Sequence, residues 1–200
     1  MNQLEALNRS FFLIVNGAPD TPPWLINTAI AVGEYWIYLI PVLLLALWIG
    51  GDTASRNRAV KAGFIAMFGV GLNQLIPLFW QHPRPFVLGL GHTWIPHAVD
   101  SSFPSDHLTV LASVGLTLLL DGAFRTGLIT LFVGLCVGWA RVFLGVHFPL
   151  DMLGAVGVAG FSYLFVSQIW RRAGVAITGL AERLYRTLLA RPIAAGWIKR

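Results

Sequence analysis

Charged residues are scarce in this chain of 200 residues. Asp, Glu, Lys and Arg make up 12% of it and hydrophobic residues 56%, whereas a soluble domain is about one quarter charged. The mean hydropathy is +0.69. This composition excludes an ordinary soluble domain and predicts an integral membrane protein, with residues 1–200 forming a single domain.

Cysteine is nearly absent as well. Cys136 is the one cysteine, it lies in an apolar stretch, and it has no second cysteine with which to pair. This excludes a disulfide framework and a cysteine metal cage within the chain, so we interpret Cys136 as a small buried hydrophobic residue. The first residues also lack a basic stretch before a long apolar core, and we therefore expect no cleavable signal peptide.

Apolar runs of helical length divide the chain at residues 3–16, 24–50, 59–80, 107–120, 126–143 and 149–170. We interpret the first run either as an amphipathic helix or as a short membrane helix. Gly33-Glu34 could interrupt the second run. The tail at 171–200 alternates apolar residues with arginine, which predicts an amphipathic cytoplasmic helix on the membrane surface. We therefore predict an all-α, polytopic membrane helix bundle with its core at 24–170 and a surface C-terminal helix.

The basic residues favour one orientation of this bundle. They concentrate in the loop that contains Arg56, Arg58 and Lys61, in the loop at Arg125, and in the tail. If the spans alternate, these regions share one side, which the positive-inside rule makes cytoplasmic. The net charge of +5 then reflects orientation and attraction to anionic lipid rather than nucleic-acid binding. The opposite side receives the long loop 81–106, the turn 144–148 and all five histidines: His82, His92, His97, His107 and His147.

Three short polar clusters stand on that side, at ends of apolar segments where ionisable groups are costly and usually functional. The first is Arg84-Pro85, the second Pro104–His107, and the third Arg141 with His147 and Asp151. Arg84 and Arg141 offer guanidinium forks that match phosphate oxygens. Ser105 and the backbone N–H groups of residues 105–107 begin a helix, where unpaired donors and the helix dipole favour an anion. Ser105 could instead be a plain helix cap. The clusters together predict a phosphate site.

The third cluster holds a candidate nucleophile. His147 and Asp151 are four residues apart and share one helix face. The carboxylate can hold one ring nitrogen and leave the other free to attack phosphorus, while His107 can protonate the departing oxygen. We predict phosphoryl transfer through a phosphohistidine, with no cofactor and no obvious metal ligation. We interpret His82, His92 and His97 as loop or interface residues, and Glu34 and Asp100 as structural or orienting groups.

The clusters resemble the type 2 phosphatidic acid phosphatase superfamily over roughly residues 24–170. Its pattern is Lys-x6-Arg-Pro, Pro-Ser-Gly-His and Ser-Arg-x5-His-x3-Asp, which matches Gln81–Pro85, Pro104–His107 and Ala140–Asp151. The resemblance implies a bundle of about six membrane helices that works on lipids without a metal. It also implies roles for six residues: phosphate binding by Arg84, Ser105 and Arg141, acid catalysis by His107, nucleophilic attack by His147, and orientation of His147 by Asp151.

The chain departs from this pattern at three positions. Pro77 stands where the lysine would fall, Ala140 where the serine precedes the second arginine, and Asp106 where the glycine precedes the histidine. Asp106 is stabilised by the helix dipole but would repel phosphate, and we count it among the residues that contact the substrate phosphate. The nearby polar candidates to replace the lysine are Asn73, Gln74 and His82.

Longer stretches resemble the bacitracin-resistance type of undecaprenyl-diphosphate phosphatase, namely Phe103–His107, Arg84–Phe86 and Arg141–Gly154. This likeness implies removal of the terminal phosphate of a C55 polyprenyl diphosphate on the outer face of the bacterial inner membrane, which recycles the carrier lipid for peptidoglycan synthesis. The implied partners are that lipid substrate and membrane lipids, with no nucleic acid and no obligate protein partner.

Two alternatives stay open at this point. The site motifs fit equally a phosphatase for phosphatidylglycerophosphate or phosphatidate, or a phosphotransferase that acts on lipid A. A protein of another class, a histidine-rich metal-binding transporter, would use the same outer histidines. The membrane spans of such a transporter should carry a series of acidic or histidine residues, and Glu34 is the single candidate for a residue of that kind.

Overall fold

The computed structural model describes residues 3–196 and is helical throughout its transmembrane part. A π-helical turn, Ala31–Tyr35, and a 3-10 turn, Trp36–Tyr38, join the second and third α-helices. The predicted all-α architecture is confirmed. The α-helices are α1 Gln3–Val15, α2 Pro23–Ile30, α3 Leu39–Gly50, α4 Thr53–Leu75, α5 Asp106–Leu120, α6 Phe124–Phe143, α7 Pro149–Leu188 and α8 Ala190–Ala194.

Four helical stretches in the described part of the chain are long and apolar enough to cross a membrane: Pro23–Gly50, Thr53–Leu78, Phe124–Phe143 and Pro149–Leu188. The fifth helix of the bundle, α5, has 15 residues and packs against α4, α6 and α7. Most of its side chains are buried, so it lies in the protein interior rather than facing lipid. The predicted multi-pass membrane class is confirmed.

The interruption expected at Gly33-Glu34 takes the form of a π-helical turn and not of a break. Within a bilayer an open stretch of backbone would leave polar groups without partners, whereas a wider turn keeps them bonded. Gly33 packs beside the end of α6, where an added Cβ would lie 3.0 Å from Leu144 Cδ1 and 3.7 Å from Arg141 Cδ. The turn thus brings Glu34 close to α6.

The basic regions meet at one end of the bundle, which we call the inner end. Arg58 Nε donates to the Asp121 carbonyl oxygen at 2.9 Å, and Lys61 Nζ lies 2.7 Å from Asp121 Oδ2. Arg56 Nη1 lies 3.6 Å from Glu182 Oε1. The α3–α4 connection, the α5–α6 turn and the last turns of α7 are therefore neighbours.

The expected boundary between a core ending at 170 and a tail starting at 171 is not marked by a helix end. α7 continues to Leu188, and the short α8 follows. Residues 182 and 185 contact the α3–α4 hairpin at Arg56 and Trp48, so packing within the protein extends the helix beyond the apolar run. The basic residues Lys199 and Arg200 lie outside the described residues.

The opposite end, the outer end, is closed by α1. This helix has 13 residues, which is about 20 Å and too short for a hydrocarbon core of about 30 Å. Asn8 Oδ1 accepts from Leu150 N at 3.0 Å, and the rings of Phe12 and Phe148 pack edge to face at 5.2 Å. Asn16 Nδ2 donates to the carbonyl oxygen of Phe143 at 2.9 Å. Of the two interpretations of this segment, the structure favours an amphipathic helix, which docks on the end of α6 and the start of α7.

Candidate active site

A polar cavity of about 350 Å³ opens at the outer end of the bundle. It lies between the end of α4, the start of α5, the end of α6 and the loop 79–105. Five of the seven predicted site residues line it: Arg84, Asp106, His107, Arg141 and His147. Ser105 and Asp151 are fully buried and belong to the wall behind it. The structure therefore brings the three sequence clusters together.

His147 lies in the turn between α6 and α7, and its two ring nitrogens have different neighbours. Nδ1 is 3.2 Å from Asp151 Oδ2, and Nε2 is 3.3 Å from Arg84 Nη1. Because a carboxylate only accepts hydrogen bonds, it favours the tautomer with the proton on Nδ1. The lone pair is then on Nε2, towards the cavity, as a nucleophile requires.

The carboxylate of Asp151 is held from three directions. Besides His147, its Oδ2 atom accepts from the backbone N–H of Phe148 at 2.7 Å and from the hydroxyl of Ser102. The Phe148 contact also caps the first turn of α7, which fixes Asp151 at the helix start. The orientation of His147 therefore rests on a side chain that the helix start itself positions.

Burial lowers the pKa of His147 to about 4, and the hydrogen bond and charge of Asp151 offset part of that effect. The guanidinium groups of Arg84 and Arg141 lower the pKa further. Since the folded-state pKa lies below the ordinary value of about 6.5, the ring stays neutral at neutral pH. Its lone pair is therefore available without prior deprotonation.

Arg84 is fixed by the loop that carries it. The stretch around Pro83 pairs with that around Ser101 through an isolated antiparallel bridge. Arg84 Nε donates to Asp100 Oδ1 at 2.7 Å, Nη1 to the Val146 carbonyl oxygen at 2.8 Å, and Nη2 to the Ser101 carbonyl oxygen at 3.3 Å. The guanidinium is buried yet borders the cavity, beside the turn that bears His147.

Arg141, in the last turn of α6, retains unused hydrogen-bonding capacity. Its Nη1 group donates to Glu34 of the π-helical turn, while its buried Nε atom has no hydrogen-bond partner. An unpaired buried donor costs free energy unless a ligand satisfies it. The cationic fork of Arg141, which lines the cavity, is thus suited to an anion.

Ser105 occupies the N-cap position of α5, but its side chain makes no capping hydrogen bond. Its buried Oγ atom has no partner among the described residues. The alternative of a plain side-chain cap is therefore not supported, and the hydroxyl is available for a ligand. His107, two residues further on, lines the cavity with His147.

Asp106 is bound by amides of α4. Its Oδ1 accepts from Asn73 Nδ2 at 2.7 Å and its Oδ2 from Gln74 Nε2 at 3.3 Å. Pro77 lines the same part of the cavity. Two of the three candidates for replacing the lysine therefore hold Asp106, and the third, His82, lies behind Asp151. Among the described lining residues, Arg84 and Arg141 supply the cationic groups.

The sequence did not predict the contacts that three further residues make with His147 and Asp151. Ser102 donates to Asp151, His82 approaches the same carboxylate, and His97 stacks edge to face on His147 with ring centroids 6.4 Å apart. Burial also lowers the pKa of His97, and the charge of Arg84 acts in the same direction. These residues belong to a long loop whose contacts have no sequence periodicity. The described residues include no group of three or more His, Cys, Asp or Glu side chains placed to hold a metal ion.

Comparison with known proteins adds relatives for nearly the whole chain. The PAP2 superfamily pattern matches residues 58–174. The chain is 35% identical to the putative undecaprenyl-diphosphatase YbjG of Escherichia coli strain K12, over 98% of this chain and 99% of the relative. It is 33% identical to the undecaprenyl-diphosphatase BcrC of Bacillus subtilis strain 168, over 93% and 97% of the two chains.

Two solved structures share the fold. Aquifex aeolicus LpxE matches with a TM-score of 0.65 at 20% identity, over 81% of this chain and 95% of that one. A transmembrane PAP2-type phosphatidylglycerolphosphate phosphatase from Bacillus subtilis matches with a TM-score of 0.58 at 18% identity, over 86% and 88% of the two chains. At these identities the likeness establishes the arrangement of helices and nothing about substrate.

Proposed function

The chain belongs to the PAP2 superfamily, and we propose that it is a membrane enzyme that hydrolyses undecaprenyl diphosphate to undecaprenyl phosphate and phosphate. Two relatives that match over nearly their whole length are named undecaprenyl-diphosphatases, which supports this substrate. The observation that carries the proposal is the contact of His147 with Asp151 Oδ2, with the second ring nitrogen towards Arg84 and the cavity.

The terminal phosphate of the substrate would bind between the two guanidinium groups. Arg84 borders the cavity from the loop, Arg141 from the end of α6, and the unpaired hydroxyl of Ser105 lies at the start of α5. Free backbone N–H groups at that helix start add donors and a favourable dipole. Asp106, on the α4 side, would repel the anion and keep it against the arginines.

In the first chemical step, His147 Nε2 attacks phosphorus and the bond from phosphorus to the bridging oxygen breaks. Burial and the charge of Arg141 lower the pKa of His107 to about 3, so His107 takes up its proton beside the diphosphate anion, which favours the charged ring. It donates that proton to the bridging oxygen as undecaprenyl phosphate leaves. The histidine, now bonded to phosphorus, carries positive charge, and the Asp151 carboxylate at Nδ1 stabilises it. The two arginines neutralise charge on the phosphoryl oxygens in the transition state.

In the second step, water attacks the phosphohistidine, and phosphate leaves as the bond to Nε2 breaks. His107, which is neutral after the first step, accepts the proton of the water. The cycle returns every group to its starting protonation state without a metal-dependent step.

The location of the cavity supports a function on the outer leaflet. The cavity lies at the outer end, and the basic residues around Lys61 and Arg58 lie at the inner end. The positive-inside rule then orients the cavity towards the periplasm or the outside of a bacterial inner membrane. Hydrolysis there would recycle the carrier lipid of peptidoglycan synthesis, with the isoprenoid tail lying in lipid along the helices.

A substrate panel on the purified protein tests this proposal. We expect phosphate release from undecaprenyl diphosphate to exceed that from farnesyl diphosphate, phosphatidate and phosphatidylglycerophosphate. His147→Gln should abolish release and the acid-labile phosphoprotein without changing the thermal unfolding midpoint, because it removes the nucleophile and keeps a polar side chain.

His92→Gln is a matched control, since His92 is an exposed histidine of the same outer loop. It should retain the activity of the unmodified chain. Turnover retained by His147→Gln would contradict the nucleophile assignment. Faster release from phosphatidate or phosphatidylglycerophosphate would instead support one of the other lipid phosphatase activities.

A further inference from the structure

The catalytic carboxylate has a second oxygen that the mechanism above does not use. Asp151 is fully buried, and its Oδ1 atom has no hydrogen-bond partner. A buried, unpaired carboxylate oxygen is costly, and native structures rarely leave one. The nearest ring nitrogen is His82 Nδ1, at 3.7 Å, and that atom is also buried without a hydrogen-bond partner. Two complementary groups thus face each other just beyond hydrogen-bond distance.

The ring of His82 is held in this place from both sides. It packs against Trp80 with centroids 5.5 Å apart and against Phe148 with centroids 5.3 Å apart. Its other nitrogen, Nε2, lies 3.4 Å from Glu5 Oε2 of α1. Glu5 is itself fixed, because its Oε1 accepts from Arg9 Nε at 2.9 Å. Both nitrogens of His82 therefore face carboxylates, and a ring nitrogen that carries a hydrogen can donate to the carboxylate it faces.

We propose that His82 is a positioning residue for the reaction, and that it acts by donating from Nδ1 to Asp151 Oδ1. The proposal rests on the hydrolysis proposed above. A closure of about 0.8 Å would convert the present separation into an ordinary hydrogen bond. The carboxylate would then be bonded at both oxygens, in a line that runs from Glu5 through His82 and Asp151 to His147.

This line gives the N-terminal helix a part in catalysis. The three hydrogen bonds of Asp151 all meet at Oδ2, so no partner opposes movement of Oδ1 about the terminal torsion, which is broad and soft. Rotation of Asp151 would release Nδ1 of His147 and turn Nε2 away from the phosphate. A donor at the second oxygen opposes that rotation. Hydrogen-bond partners of metal-binding side chains fix those side chains in the same way. His82 and Glu5 would therefore affect the rate of chemistry and not the binding of substrate.

Two matched substitutions separate this role from packing. In His82→Asn the amide nitrogen takes roughly the place of Nδ1 and keeps a donor for Asp151. In His82→Gln the amide reaches towards Glu5 and leaves no donor beside Asp151. Substitution of a residue that orients a metal ligand typically costs about tenfold or more in activity. By analogy, we expect the kcat of His82→Gln to fall about tenfold or more, with KM within about twofold of that of the unmodified chain. His82→Asn should stay within about threefold of the unmodified chain on the same basis.

Orthovanadate affinity provides a readout that does not need a lipid substrate. Vanadate mimics the phosphoryl transition state and needs a correctly oriented His147, whereas inorganic phosphate needs the arginines alone. His82→Gln should weaken vanadate binding about tenfold by the same reasoning and leave phosphate binding unchanged. Thermal unfolding midpoints of all variants, with His92→Gln as the control, show whether a loss is one of folding.

The results that would overturn the role of His82 differ from the result that would overturn the proposed hydrolysis. Equal losses in His82→Asn and His82→Gln that follow the unfolding midpoint would mean that the ring only packs, and would overturn the proposal. Unchanged kcat and vanadate affinity in His82→Gln would overturn it too. If the unmodified chain releases phosphate from none of the four lipids, the proposed hydrolysis fails. The vanadate comparison then still decides whether His82 orients the Asp151–His147 pair.

Discussion

The two ends of the helix bundle both bury arginines, but they pair them differently. At the inner end, Arg56 donates to the Trp48 carbonyl oxygen at 3.0 Å and lies 3.6 Å from Glu182, whose side chain is 12% exposed. Its guanidinium also covers the rings of Trp48 and Tyr185, at 5.8 and 5.2 Å from their centroids. The cation and its partners are enclosed together.

At the outer end the arginines are as buried as Arg56, yet their carboxylate partners face solvent. The side chain of Asp100, which binds Arg84, is 59% exposed, and that of Glu34, which binds Arg141, is 38% exposed. Arg141 also keeps an unpaired Nε atom. A phosphate can therefore approach these cations at the cost of exposed ion pairs, which are weak. A phosphate-binding arginine therefore differs from a structural arginine in the solvent exposure of its carboxylate partner. The two do not differ in the burial of the arginine itself.

The largest expected effect is at Arg141. Lysine keeps the charge but cannot bind phosphate with two parallel donors. We expect Arg141→Lys to lower kcat/KM by about 100- to 1,000-fold, the cost of one oxyanion donor in other enzymes, without lowering the thermal unfolding midpoint. Steady-state kinetics on the purified variant measures this. A comparable loss in Arg56→Lys, corrected for folded protein, would contradict the distinction between the two ends.

The second prediction concerns the free energy of unfolding of the protein and the contribution of Arg56 at the inner end. Arg56→Ala leaves the largely buried Glu182 with the exposed Arg186 as its remaining cation, so we expect a cost of about 2–3 kcal/mol, below that of a fully broken buried pair. The free energy of unfolding in detergent should fall by that order, while kcat per folded molecule stays unchanged. Arg186→Ala is the matched control, because Arg186 binds the same Glu182 from an exposed position and should cost less than about 1 kcal/mol. Equal losses in both variants would argue against a structural role for burial of Arg56.

The smallest effect is expected from the carboxylates at the outer end. Glu34→Gln removes a charge that competes with phosphate for Arg141, and at this exposure the interaction is worth about 1 kcal/mol, or about fivefold. Inorganic phosphate should therefore inhibit Glu34→Gln at about fivefold lower concentration. Asp20→Asn, at an exposed position after α1, should leave inhibition unchanged. Weaker inhibition of Glu34→Gln would mean that Glu34 holds Arg141 in place rather than competing for it.

Much of the helical framework could be predicted from the sequence. The apolar runs at 107–120 and 126–143 agree with α5 and α6 to within two residues, because membrane helices are long, apolar and bounded by turn residues. The end of the run at 149–170 did not mark the end of α7, since packing on Arg56 and Trp48 extends the helix.

The site could be predicted in part. The motifs that contain Arg84, Arg141 and His147 identified the residues that line the cavity, although the catalytic roles assigned to them remain predictions. The sequence did not reveal that Ser102 donates to Asp151 or that His82 faces Glu5. These contacts join residues 49 and 77 positions apart, and they depend on how a loop and α1 dock rather than on any local pattern.

The docking of α1 also has a consequence for biosynthesis. Asn16 reaches the ribosome exit early, but its partner Phe143 follows 127 residues later, and the partner of Asn8 follows 142 residues later. At about 5–20 residues per second, that interval is roughly 6–30 s. During it, the first helix is made, but Asn8 and Asn16 lack their native partners in α7 and α6. The docking of α1 on the outer end of the bundle is therefore completed last, when α7 begins to emerge.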